Sequence, residues 1–102
     1  MSARKRQLIV RPDAQDDVRE ILLYTFVRWN AEQRRRYRRE LNGSLRSLLA
    51  YPELGPTRDD LFAGCRNLTV KEHLVFYTIT DDAISVLRAL HGSQNAAGKV
   101  HP

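Results

Sequence analysis

The sequence predicts an α+β domain of order β-α-α-β-β-β, a helical hairpin packed on a small, mainly antiparallel sheet. Three observations carry that prediction. Apolar residues recur at three- and four-residue steps from Pro12 to Tyr51. The last third switches to short β-branched and aromatic runs with hairpin-length gaps, and an isolated apolar run, QLIVR, precedes the first helix. With 102 residues the chain is expected to form one domain over 1–102, its core at about 7–92.

Residues 7–11 are too few for a helix and are bounded by Pro12, so they read as a strand. From Pro12 the period changes: Ala14, Val18, Leu22, Thr25 and Trp29 fall on one helical stripe, with Ile21 beside it. Pro12 suits a first helical position, and Asp13, Asp16 and Asp17 suit the positive end of the helix dipole. Asn30 interrupts the stripe, either ending the first helix in a left-handed conformation or capping the second with Gln33 as its capping-box partner. The second helix is expected from Ala31 to about Tyr51, before Pro52. Its apolar stripe is Tyr37, Leu41, Leu45 and Leu48, with Leu49 at the margin; Arg35, Arg39 and Arg46 project opposite, flanked by Arg36 and Arg38. So short a junction folds the two helices into an antiparallel hairpin.

Residues 52–60 (PELGPTRDD) form a turn-rich loop. Strands follow at Cys65–Val70, His73–Ile79 and Ile84–His91, separated by Lys71-Glu72 and by Thr80 to Ala83, which makes a three-stranded meander. The polar segment from Ser93 to Pro102 is expected to be a flexible tail.

Composition narrows the function classes. The chain is 42% apolar and 28% charged, hence globular. One cysteine cannot form an internal disulfide, no Cys/His cluster has metal-ligand spacing, and no cofactor or metal is expected. The basic N-terminus lacks the apolar stretch of a signal peptide, and no run is long enough to span a membrane, so a soluble cytoplasmic protein without a membrane partner is expected. The net charge of +5 is uneven, with residues 1–50 at +6 and residues 51–102 at −1. Fourteen of the 17 basic residues are Arg, the side chain that forks onto carboxylates and phosphates. Either an acidic partner or a solvated helix face accounts for that excess.

Period-two reading of the strands selects the candidate binding residues. Arg66 shares parity with Leu68 and Val70, and Arg88 with Ile84, Val86 and Leu90. If those apolar residues face the helices, both guanidinium groups lie on the inner face or its rim. Each then needs a carboxylate, carbonyls or a bound anion: either an internal acid such as Asp17, Glu20 or Asp60 bridges it, or it lines a groove for an acidic peptide or a phosphate backbone. His73, Val75, Tyr77 and Ile79 share one face of the middle strand, where Tyr77 and His73 are either packing residues or acid–base groups. His91 closes the last strand as a structural hydrogen-bonder or an exposed contact; His101 is expected to be inert. Leu23 and Val27 point away from the first helix's stripe, with Phe26 between the faces, and together could form a strip covered by a partner chain. The sequence shows no Ser-His-Asp constellation and no glycine-rich phosphate loop, and Cys65 lacks an activating partner. The run RRRYRR is strongly basic, but Tyr37 falls on the core stripe, which removes the interleaved aromatic that single-strand binders use.

The run RPDAQDDVREILLYTFVRW, then Tyr37 and Leu41, the Pro52–Gly55 loop, CRNLTVKEHLVFYTI and ISVLRALHGSQN together resemble the ParE branch of the RelE/ParE toxin superfamily over about residues 8–95. The most specific parts are Pro12-x-Ala14-x-x-Asp17, His73-Leu-Val-Phe-Tyr77 and Arg88-Ala-Leu-His91-Gly92. The resemblance implies the toxin half of a type II toxin–antitoxin pair, blocked by the flexible C-terminal segment of a ParD-like antitoxin. It implies a stalled DNA gyrase as the target, no catalytic residue in the toxin, and DNA reached only indirectly, through the antitoxin complex. On that reading Leu23, Val27, Arg66 and Arg88 are the candidate antitoxin-binding residues, and Tyr77 and His91 the candidate target contacts. The competing RelE branch, ribosome-dependent mRNA endoribonucleases, places arginines near Arg66 and Arg88. It also uses lysines around the groove and a C-terminal tyrosine or histidine, whereas loop 52–60 here has no lysine and no tyrosine follows Tyr77. A non-toxic basic nucleic-acid-binding module is the third reading. Arg11 stands where the family often has a capping Ser, and Asn30 where it often has Gly.

Overall fold

The computed structural model describes residues 5–102 apart from the side chains of Thr25 and Phe26, so the places expected for those two lie outside the described residues. The elements follow the expected order: β1 (Gln7–Val10), α1 (Pro12–Arg28), α2 (Ala31–Ala50), a 3₁₀ turn (Pro52–Leu54), β2 (Arg66–Val70), β3 (His73–Ile79) and β4 (Ala83–His91). The strands make one mixed sheet in the order β1-β4-β3-β2. β2, β3 and β4 are antiparallel neighbours, and β1 runs parallel to β4 along Gln7–Val10 and Ala83–Val86. A parallel partner requires a crossover, which the helical hairpin and the meander together supply.

Local chemistry explains the helix boundaries. At the start of α1, Arg11 offers no capping side chain, but Gln15 donates its side-chain amide to the Val10 carbonyl (2.8 Å) and its N–H to the Arg11 carbonyl (2.9 Å). Of the two roles open to Asn30, the structure selects the cap of α2. Its side chain accepts from the Gln33 N–H at 2.9 Å, and the Gln33 side chain accepts from the Asn30 N–H at 3.3 Å, a complete capping box.

The sheet is covered on both faces. Inward, Ala14 and Ile21 of α1 and Tyr37, Leu41 and Leu45 of α2 pack on Val70, Val75, Val86 and Ala89. Among the described residues of α1, Ala14 and Ile21 are buried, Val18 is partly buried and Leu22 turns half to the surface; Trp29, just beyond the helix, is partly buried. The outer face is where the structure departs from expectation. The segment after Ser93 is not a loose tail: it folds back over the sheet and buries Ala96 and Val100 against Cys65, Phe76, Leu87 and Leu90. Only two of its ten residues are buried, so its polar composition hid the anchor points.

A bulge in β4 makes the second departure. Tyr77 pairs with Val86 but Phe76 pairs with Arg88, leaving Leu87 as an extra residue. Side chains beyond a bulge change face. Ile84 and Val86 therefore look toward the helices, whereas Leu90 joins the outer cluster and Arg88 pairs beside the outward-facing Phe76. The expectation that Arg88 shares the inner face with Ile84, Val86 and Leu90 is corrected by that one residue. Arg66 keeps its parity with Leu68 and Val70 at the inner rim, so the two arginines do not line one groove.

Candidate functional site

β1 pairs with β4 only as far as Val86, so the rest of that β4 edge lies open to α1. Asp17 closes it: its carboxylate accepts from Arg88 Nε at 2.7 Å and Nη2 at 2.9 Å, and from the Ala89 N–H at 2.9 Å. Arg88 Nη1 donates to the Lys99 carbonyl at 3.0 Å. This fork joins α1, the sheet edge and the refolded C-terminal segment. The paired carboxylate raises the Arg88 pKa further above its ordinary value. All three Arg88 nitrogens are occupied within the chain, which makes it a clamp.

Arg66 is also committed, to carbonyls. Its Nη1 donates to the Gly55 carbonyl at 2.7 Å and to that of Glu53 at 3.4 Å. Tyr77, expected as a target contact, is fully buried; its hydroxyl donates to the Pro52 carbonyl (2.7 Å) and accepts from the Gly55 N–H (2.9 Å). Burial raises its pKa, so the hydroxyl stays protonated as the donor that pins the loop. Cys65 is likewise buried and its thiol pushed up by burial, which leaves it unreactive.

The pairing of His73 with His91 places two imidazoles in one recess of about 440 Å³, walled by Glu20, Tyr24 and Trp29 from α1 and its end and by Glu72 from the β2–β3 turn. The two rings meet edge to face with centroids 5.6 Å apart. His91 Nδ1 accepts from the Ser93 N–H at 3.1 Å, which directs Nε2 toward Glu72 Oε2 at 3.6 Å. His73 Nδ1 lies 2.7 Å from the Tyr37 hydroxyl. Burial, with Glu40 and Glu72 nearby, pushes the Tyr37 pKa up to about 12. Burial first, then the neighbouring His91, lowers the His73 pKa. A histidine with a depressed folded-state pKa stabilises the fold fully above its unfolded value, and that contribution disappears as pH falls through the folded value. Acidification below the ordinary histidine value is expected to lower the melting temperature of the natural protein more than that of a His73→Gln variant. Equal losses in thermal melts of the two proteins would remove His73 as the cause.

The second concavity lies along the hairpin. Arg19, Leu22 and Leu23 of α1 face Ala31, Arg34, Arg35 and Arg38 of α2 across a groove of about 460 Å³. Leu23 is 62% exposed, and Val27, one turn further along α1, is 84% exposed. An apolar floor edged by guanidinium groups is chemically matched to an acidic amphipathic segment. The sequence singled out Leu23 and Val27 but missed Arg19, Arg34 and Arg38 as their neighbours. The signal was the angular position of Arg34 and Arg38, on the flank of α2 that an antiparallel partner helix must face. Among the described residues, no group of three or more His, Cys, Asp or Glu could hold a metal ion, and no helix is long and apolar enough to cross a membrane.

Comparison with known proteins agrees with this architecture. Residues 8–96 match the family model described as ParE toxin of type II toxin–antitoxin system, parDE. The chain is 34% identical over 84 residues to Toxin ParE1 of Mycobacterium tuberculosis (strain H37Rv), covering 81% of this chain and 86% of that protein. It is also 34% identical over 83 residues to Toxin ParE1 of Caulobacter vibrioides, covering 81% and 85%. A solved chain from the chromosomal ParDE system of P. aeruginosa superposes with a TM-score of 0.73 at 18% identity, over 86% of this chain and 97% of that one.

Proposed function

The chain belongs to the ParE family of type II toxin–antitoxin systems, and from that premise we propose that it stalls DNA gyrase and is silenced by a ParD-like antitoxin. The antitoxin's acidic, amphipathic C-terminal segment lies in the groove between α1 and α2. The observation that carries this reading is the exposed Leu23–Val27 strip beside Arg19, Arg35 and Arg38, an apolar surface that nothing in this chain covers among the described residues. The internal bonds of Arg66 and Arg88 give these two arginines an indirect part: they hold the sheet edge and the 52–55 loop on which the surface is built. The burial of Tyr77 supports a blocking mode of action over RNA cleavage, because its hydroxyl is not available to a substrate. His91 is exposed and open to a target.

Purified gyrase should lose supercoiling activity and accumulate trapped cleavage complexes on addition of the protein, and the cognate antitoxin should reverse both effects. Undisturbed supercoiling with no trapped complex overturns the target. A Leu23→Asp/Val27→Asp variant removes two apolar anchors of about 1.5 kcal/mol each and should bind the antitoxin about 100-fold more weakly. Its gyrase inhibition without antitoxin should persist. Unchanged antitoxin affinity in titration calorimetry moves the segment to another surface.

A further inference from the structure

We propose that the outer face of α2 is a docking surface for the phosphate backbone of double-stranded DNA, contacted by the protein directly and independently of its antitoxin. Arg35, Arg39 and Arg46 project from the side of α2 opposite the buried Tyr37, Leu41, Leu45 and Leu48, with Arg35 at the end of the row that also edges the hairpin groove and Arg39 and Arg46 clear of it. All three are exposed, and no ion pair or hydrogen bond engages their side chains among the described residues. The two carboxylates of the helix are already engaged: Glu32 lies 3.5 Å from Arg36, and Glu40 lies 3.5 Å from Lys71. The row therefore carries positive charge with no internal counter-charge. Nothing in the fold calls for that arrangement.

The surroundings of the row select its occupant. Between Arg39 and Arg46 the outer side carries Asn42 and Gly43, and a Cβ added at Gly43 would meet no atom within 4 Å. The fold does not need this glycine, yet its absent side chain leaves a low saddle between two guanidinium groups. An amphipathic peptide needs a run of apolar contacts, which the hairpin groove offers, whereas the row has Leu49 alone beside Arg46. A single strand needs exposed rings to stack on, and Tyr37, the aromatic residue of this run, is buried. What remains matches a stiff polyanion recognised through charge and hydrogen bonds alone. The row spans about 16 Å of straight helix, over which each strand of B-DNA presents a phosphate about every 3.4 Å.

Fluorescence anisotropy of the full-length protein on a labelled DNA duplex of about two helical turns tests the proposal. Binding with Kd on the order of 10⁻⁵ M near physiological salt is expected, with a log K against log salt slope of about −2.7 for three phosphate contacts. Arg39→Gln/Arg46→Gln, both outside the hairpin groove, should weaken binding at about 50 mM salt at least tenfold and reduce the slope to about −1. The charge-matched control Lys5→Gln/Lys99→Gln should stay within about twofold of the natural protein. Equal weakening by the control, a flat salt response, or tighter binding to the corresponding single strand would each overturn the proposal. So would poly-glutamate binding that is lost in the arginine variant while the duplex fails to bind, since that outcome assigns the face to an acidic protein. Antitoxin binding and gyrase inhibition, measured on the same variants, report separately on the function proposed above.

Discussion

Replacing Asp17 by Ala is expected to destabilise the protein by about 3 kcal/mol, the lower end of the range for breaking a buried ion pair. The Asp17 and Arg88 side chains are only 11% and 23% exposed, and their contacts are a two-point fork at 2.7 and 2.9 Å. Removing the carboxylate strands a guanidinium at the sheet edge and also leaves the Ala89 N–H without its acceptor. For a domain of this size the melting temperature should fall by about 12–24 °C. Arg88→Ala should cost a similar amount and should in addition loosen the C-terminal segment, since the Lys99 carbonyl loses its donor. Hydrogen exchange over residues 94–100 reads that second effect. The Asp17→Ala/Arg88→Ala double variant should be much less destabilised than the sum of the single changes, because the two act through one contact. A single Asp17→Ala variant within 1 kcal/mol of the natural protein in denaturant melts would sink the clamp assignment.

That pair also shows where sequence reading succeeds and where it stops. Chemistry alone pairs Arg88 with an acid such as Asp17, yet strand parity puts Arg88 on the face opposite the one it takes. Period-two patterns carry through a strand only while pairing is regular, and the extra Leu87 is an ordinary strand residue, so no compositional mark announces it. The helices were legible because their signals are local: Tyr37, Leu41, Leu45 and Leu48 bury as their spacing requires, and Asn30 with Gln33 completes the capping box. The refolded C-terminal segment was hidden for the opposite reason. Ala96 and Val100 are small, isolated apolar residues whose burial depends on a sheet surface assembled from distant residues.

The surfaces follow the same division. Leu23 and Val27 stood out because they break the stripe of a single helix. Their grouping with Arg19, Arg34 and Arg38 arises only when two helices lie side by side, and the recess uniting His73 with His91 only when two strands take their register. A residue's type and helical angle are written in the chain; which neighbour it meets is decided by pairing. Arg66 illustrates the difference. Its parity follows the sequence pattern, but its partners are the carbonyls of Glu53 and Gly55, groups that every residue carries and that sequence pattern cannot single out.

Gly55→Ala is expected to be as damaging as the loss of Asp17, although φ at Gly55 is −84° and any residue could adopt that backbone. The constraint is space. A Cβ at position 55 would lie 2.5 Å from the Asn67 carbonyl oxygen and 2.9 Å from the Tyr77 hydroxyl, and the first of these belongs to the backbone of the β2 strand. Relief requires the loop to retreat, which lengthens the bonds that hold it: Gly55 N–H to Tyr77, the Gly55 carbonyl to Arg66, and Asn67 N–H to the Pro56 carbonyl at 3.1 Å. Overpacking alone costs about 1–3 kcal/mol, and weakened bonds to buried groups add to it, so about 3 kcal/mol is expected in total. Tyr77→Phe separates the two contributions. It removes the hydroxyl without adding volume, leaving the Pro52 carbonyl and the Gly55 N–H unmatched, and should cost about 2 kcal/mol. In the Tyr77→Phe background, Gly55→Ala should cost less than it does alone, because the close contact with the Tyr77 hydroxyl and one of the bonds it breaks are already gone. Denaturant melts of the four proteins complete the cycle. Strict additivity would mean that Tyr77 and Gly55 act apart.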